Sequence, residues 1–199
     1  MSAAASLAAL GLAAVAACRV ATVRPLDDKV GAAGAASAAT PPFDAAAFVD
    51  SIWRSEVLRS LDAARDVAEI AGGAPAADRR SPVVVRGRGR VTDVDTRSRS
   101  GTATVELDGT RAPVRLQVGP VLTGMAIRDA LPVLGFDRFV NQLQHADVGN
   151  QLNERVEREL LLSLDRKHLR GRHVSFAGMA SVAENSLVTV TPVRLQVEP

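Results

Sequence analysis

The run Pro82-Val83-Val84-Val85-Arg86-Gly87-Arg88-Gly89-Arg90-Val91-Thr92-Asp93-Val94 constrains this chain more than any other stretch. Its period is two. Val85, Gly87, Gly89 and Val91 fall on one face, and Arg86, Arg88 and Arg90 on the other, as in a strand with one buried and one solvated side. Glycines inside a strand mark a bulge or a sharp bend, which a small barrel requires and a flat sheet does not. Two further alternating runs follow. Ala103, Val105 and Leu107 point inward in the second, Asp108-Gly109 is a hairpin signal, and Val114, Leu116 and Val118 alternate in the third, which stops at Gly119-Pro120.

Residues 121 to about 168 change to helical spacing. A short helix is expected near Ala126–Leu134, ending around Pro132 and Gly135. Another starts near Phe136–Asp137 and runs toward Leu164, with a break expected at Gly149. Phe139, Leu143, Leu152, Val156, Leu160 and Leu164 form its apolar stripe, and Glu154, Arg155, Glu157, Arg158 and Glu159 a solvated face. Period two then returns. Val174 and Phe176 point inward from a fourth strand, and Leu187–Val197 reads as a fifth whose phase changes at Pro192, where a bulge is expected. Three strands, a helical insertion and two strands is the order of the OB-fold. The fold class is therefore α+β, mainly β: an OB-like five-stranded barrel with an N-terminal helix and a helical insertion between strands three and four. The N-terminal helix is read from Phe43 to about Ala71, with Asp44 capping it. Phe48, Ile52, Leu61, Ala64 and Ala68 share its apolar stripe, and Trp53 beside them anchors the helix to the core.

Upstream, Ala3 to Ala17 holds only Ala, Ser, Leu, Gly and Val, and Cys18 follows Ala16-Ala17. The run suits the apolar core of an export signal and is short for a bilayer-spanning helix, which needs about 20 residues. Met1–Ala4 lacks the Lys or Arg that such signals carry. Cys18 is the single cysteine and has no disulfide partner in the chain, so lipid attachment at its thiol gives it a purpose. Residues 1–18 read as a lipoprotein signal segment, 19–42 as an Ala- and Pro-rich linker, and 43–199 as one globular domain. The protein is then expected at the cell membrane, lipid-anchored, facing the periplasm or the cell exterior.

Composition narrows the function. Lys and Arg number 24 against 22 Asp and Glu, a net charge of +2 that calls for no polyanion. There is no Tyr, one Trp and five Phe, and the first three strands contain no aromatic residue. Binding of single-stranded nucleic acid or another polyanion through Arg86, Arg88 and Arg90 is the alternative reading, but such binders interleave cations with stacking platforms that are missing here. Gly87-Arg88-Gly89 lacks the third glycine and following helix of a dinucleotide fingerprint, and His145, His168 and His173 lack zinc-site spacing. Ser175 and Ser181 lack the context of a nucleophile elbow. No catalytic residue, metal site or cofactor is expected. The density of amides around Asn141, Gln142, Asp147, Asn150 and Asn153 makes these the candidate residues for binding a small polar solute or a partner, against the alternative that they cap and solvate a helix.

Several runs carry a family resemblance: Phe43-Asp44-Ala45 with Phe48-Val49-Asp50-Ser51-Ile52-Trp53; Val94-Asp95-Thr96 with Ser98-Arg99-Ser100-Gly101-Thr102; Gln117-Val118-Gly119-Pro120-Val121 with Ala126-Ile127-Arg128-Asp129-Ala130; and Phe136 with Phe139-Val140-Asn141-Gln142 and Ala146-Asp147-Val148. Together with the segment ending at Cys18, they resemble the DUF2291 family of predicted periplasmic lipoproteins. The resemblance implies a lipid on Cys18 and an accessory role beside sugar ABC-transporter components, and it carries over no catalytic residue.

Overall fold

The computed structural model describes residues 42–73, 81–110 and 112–198. Cys18, the segment before it and the linker as far as residue 41 lie outside the described residues. Five strands form the barrel: β2 (Val83–Asp95), β3 (Thr102–Leu107), β4 (Pro113–Gln117), β5 (His173–Val182) and β6 (Val188–Val197). A two-residue strand β1 (Arg65–Asp66) precedes them. Neighbours run β2-β3-β4-β6-β5, and β2 pairs again with β5, so the barrel closes. The β4–β6 pairing is parallel and the other four are antiparallel. Closure removes the open edges that a five-stranded sheet would expose.

The glycines of β2 make closure possible. Gly89 faces both Leu107 of β3 and Val174 of β5, so the strand changes partners there. A Cβ on Gly89 would lie 2.2 Å from the Glu106 carbonyl oxygen, and one on Gly87 would lie 2.6 Å from Val67 Cγ1. Across the barrel, Gly178 pairs with Pro192 while Ala177 pairs with Arg194, which leaves Val193 as the extra residue of a bulge. The phase change read at Pro192 is that bulge. The hairpin at Asp108-Gly109 also forms, with Gly109 at φ +82°.

Inside the barrel, Val85, Val91, Val105, Val114, Leu116, Val174, Phe176, Val188 and Val190 are buried together. Each such side chain is worth roughly 1.5–3 kcal/mol when removed from water. A second buried group joins α1 (Ala45–Ile52), α3 (Ala126–Asp129) and α4 (Gln142–Val156) through Val49, Trp53, Ile127, Leu134, Val148, Leu152 and Val156.

The helical segments depart from the sequence reading in three places. The helix read over 43–71 is interrupted. Asp44 does cap it, its Oδ1 accepting the Ala47 N–H at 3.0 Å, and π turns extend α1 through Leu58. Ala64 then turns extended, β1 pairs with Val85 and Arg86 of β2, and Asp66 caps a new helix α2 (Val67–Ala71) by accepting the Ala68 N–H. The second correction concerns α4. It starts at Gln142 rather than near Phe136, and it passes Gly149 unbroken. A Cβ at Gly149 would sit 2.5 Å from Met125 Sδ, so this glycine serves a close approach to the α3 region and not a break. The third is Leu143, read as part of the apolar stripe but 69% exposed.

Candidate functional site

The amide-rich segment 141–153 is built mainly into the helix it belongs to. Asn141 Oδ1 accepts the Gln144 N–H at 2.9 Å, capping α4, and Gln144 Oε1 accepts the Val140 N–H at 3.2 Å. Asn153 is buried and donates from Nδ2 to the Gly124 carbonyl at 2.8 Å. Gln142 and Asn150 are exposed, and Asp147 is half-buried. None of the candidates Asn141, Gln142, Asp147, Asn150 and Asn153 lines any of the hollows described below. What they share is α4 and its cap, rather than one concave site.

A polar node that the alternation of β4 concealed lies nearby. Gln117 faces away from the barrel interior yet is buried, because the helical insertion covers it. Its Oε1 accepts from the Thr123 N–H at 2.8 Å and the Thr123 hydroxyl at 3.0 Å. Its Nε2 donates to the Thr191 hydroxyl at 2.8 Å and the Thr123 carbonyl at 3.1 Å. Glu157, expected on a solvated face, instead accepts the Leu122 N–H at 2.5 Å. Gln117, Asn153 and Glu157 thus pin residues 122–124 from three directions. Beside the node lies a hollow of about 310 Å³ with Asp129, Ser181 and Thr189 on its wall. Its volume is at the lower end for small-molecule sites.

The arginine stripe is exposed, but carboxylates break it up. Arg88 pairs with Glu198 at 2.5 Å and with Asp108 at 3.9 Å, and His173 Nδ1 also lies 3.9 Å from Asp108. An open hollow of about 470 Å³ there is walled by Arg90, Glu106, Asp108 and His173, a mixed field rather than a cationic groove. Phe176, the aromatic residue of these strands, points into the core and is 4% exposed. On the β2–β3 loop, Arg97 grips Asp95 through Nε at 3.0 Å and Nη2 at 2.8 Å. Those hydrogen bonds hold the Asp95 carboxyl down at about 2. Trp53 is buried, and the Arg155 guanidinium lies 4.6 Å above its ring while pairing with Asp50 and Glu159. Arg155 therefore serves packing where a solvated face was expected.

One part of the surface is apolar. Phe43, Phe48 and Phe139 meet ring to ring at 5.7–6.1 Å, and Phe139 continues through His145 to Phe136. Phe136 is 50% exposed and Val140, next in chain to Phe139, is 87% exposed.

Comparison with known proteins now adds the family. The model for the predicted periplasmic lipoproteins (DUF2291) matches residues 8–196. The chain belongs to that family. The match takes in Cys18 as well as the barrel. A comparison with curated proteins finds no match. Among solved structures, the chain is similar to an OB-fold protein from Thermotoga maritima, at 14% identity and a TM-score of 0.58 over 78% of this chain and 99% of that one. At that identity the likeness concerns the fold. It agrees with the OB order read from the strands.

Among the described residues no three of His, Cys, Asp and Glu gather as a metal would need, and no described helix is long and apolar enough to cross a membrane. Their buried polar side chains mainly fasten loops to the barrel.

Proposed function

We propose that this protein is an extracytoplasmic OB barrel held at the membrane by a lipid on Cys18, and that it works by binding rather than by catalysis, as an accessory to a sugar ABC transport system. The observation that carries the anchored part is the single family match over residues 8–196, which joins the segment around Cys18 to the barrel. The binding part is supported by where the polar groups go. Gln117, Asn141 and Asn153 satisfy backbone and side-chain partners in the fold, while Ser181, Thr189 and Asp129 border a hollow sized for a small polar solute. A sugar presents the hydroxyls that such a wall would hydrogen-bond.

The test is made in cells. Membranes are treated with a cross-linker, and uptake of labelled sugars is measured with and without the gene. The proposal expects a cross-link to an ABC-transporter component and slower uptake of at least one sugar. Unchanged uptake of every sugar, with no transporter component among the cross-linked products, would remove the transport role.

A further inference from the structure

We infer that the apolar cap formed by Phe43, Phe136, Val140 and Leu143 seats the barrel on the lipid surface of the leaflet that carries the Cys18 lipid. The inference rests on the proposed lipidation of Cys18. Three observations point to a bilayer as the occupant. The first is exposure: Val140 is 87%, Leu143 69%, Phe136 50% and Phe43 38% accessible, a concentration of large apolar side chains unlike the rest of the described surface. Leu143 is the second residue of α4, two past its Asn141 cap, so these side chains are gathered at one end of that helix.

The second is rigidity. The rings of Phe43, Phe139, His145 and Phe136 form a continuous chain of contacts, and His145 Nε2 lies 3.1 Å from the Leu134 carbonyl, which fixes the base of the cap. Apolar groups already held in place lose little conformational entropy when they enter a headgroup layer. The third is where the tether arrives. Residues 19–42 lead from Cys18 directly to Phe43, a member of the cap. At no more than about 3.4 Å per residue, that length confines the domain to within roughly 80 Å of the bilayer. Confinement raises the effective concentration of lipid at the cap, so weak insertion suffices. The lipid then anchors and the cap orients, turning the opposite end of the α4 segment toward the aqueous compartment.

The experiment uses the full lipidated protein in vesicles of phosphatidylethanolamine and phosphatidylglycerol. Cys18 is the only cysteine and its thiol carries the lipid, so Val140→Cys introduces a unique label site. Leu162→Cys supplies the control. It is 65% exposed and lies just past the far end of α4 and its π-helical extension, roughly 25–30 Å away at 1.5 Å per residue. A fluorophore at residue 140 should be quenched at least about twofold by lipids spin-labelled near the headgroup, where interfacial side chains lie, and one at residue 162 should not be. Adding Phe136→Ser and Leu143→Ser to the Val140→Cys chain should abolish the quenching while Trp53 emission stays that of the folded protein. Intact mass reports the lipid separately. A lipidated protein with no quenching at 140, or with equal quenching at 140 and 162, overturns the seat and leaves the anchor standing; the first result would hand the cap to a protein partner. An unlipidated mass removes the premise, and the seat with it.

Discussion

Replacing Gln117 with leucine should cost far more than a surface amide would. Gln117 is 6% exposed and makes four hydrogen bonds, three to Thr123 and one to Thr191. Thr123 is exposed, so its groups return to water once released, and each lost bond then costs about 0.5–1.5 kcal/mol at most. The Thr191 hydroxyl is different. That residue is 2% exposed, and stranding a buried hydroxyl costs about 1–3 kcal/mol. Leucine restores most of the volume, so a cavity adds little. With the three exposed bonds at the low end of their range, the sum is about 2.5–4.5 kcal/mol. With a urea dependence of about 2 kcal/mol per molar, the unfolding midpoint should fall by about 1–2 M. Hydrogen exchange adds a local reading, because the Thr123 amide is held by Gln117 Oε1 and should lose protection in the variant. A loss under about 0.5 kcal/mol, the usual effect of a surface substitution, would refute the claim that this node fastens the insertion to the barrel.

Gly178→Ala would place a Cβ 2.1 Å from the Thr191 carbonyl oxygen and 2.8 Å from Pro192 Cα, both backbone atoms, so it should destabilise by about 2 kcal/mol or more in urea titration. Leu152→Ala should cost about 2–5 kcal/mol, because Leu152 is fully buried, while Leu143→Ser should stay within about 0.5 kcal/mol. The Asp95 carboxyl should titrate by NMR near 2, and Arg97→Gln should return it toward the ordinary value of about 3.9. A lowered folded value means that the Asp95–Arg97 pair favours folding above the unfolded pKa of about 3.9. That contribution is lost as pH falls toward 2, so the variant's deficit should shrink across this window.

Elements that depend on their own residues could be read from the chain. Alternation with glycines in residues 83–94 gave a bent barrel strand, Asp108-Gly109 gave a turn, and the phase change at Pro192 gave a bulge. Elements that depend on distant partners could not. The segment Ala64–Asp66 keeps helical spacing, yet it is drawn into extended pairing with Val85 and Arg86 of a later strand. Gly149 looks like a helix breaker locally, and its reason lies in Met125 of another segment. Gln117 occupies an outward strand position, so only the tertiary cover of the insertion shows that it is buried. The candidate residues fared similarly. Asn141 is the helix cap its residue type permits, and Asn153 is claimed by the Gly124 carbonyl, a partner far away in the chain. Leu143 fits an apolar period but lies where no other element packs over it, so it is left exposed.

The proposed lipid on Cys18 is best tested by the intact mass of the membrane-extracted protein beside a Cys18→Ala variant. The expected result is a mature chain that starts at Cys18 and carries acyl chains, with both features lost in the variant. A full-length, unlipidated mass from the wild-type chain, unchanged apart from the substitution in the variant, would contradict it.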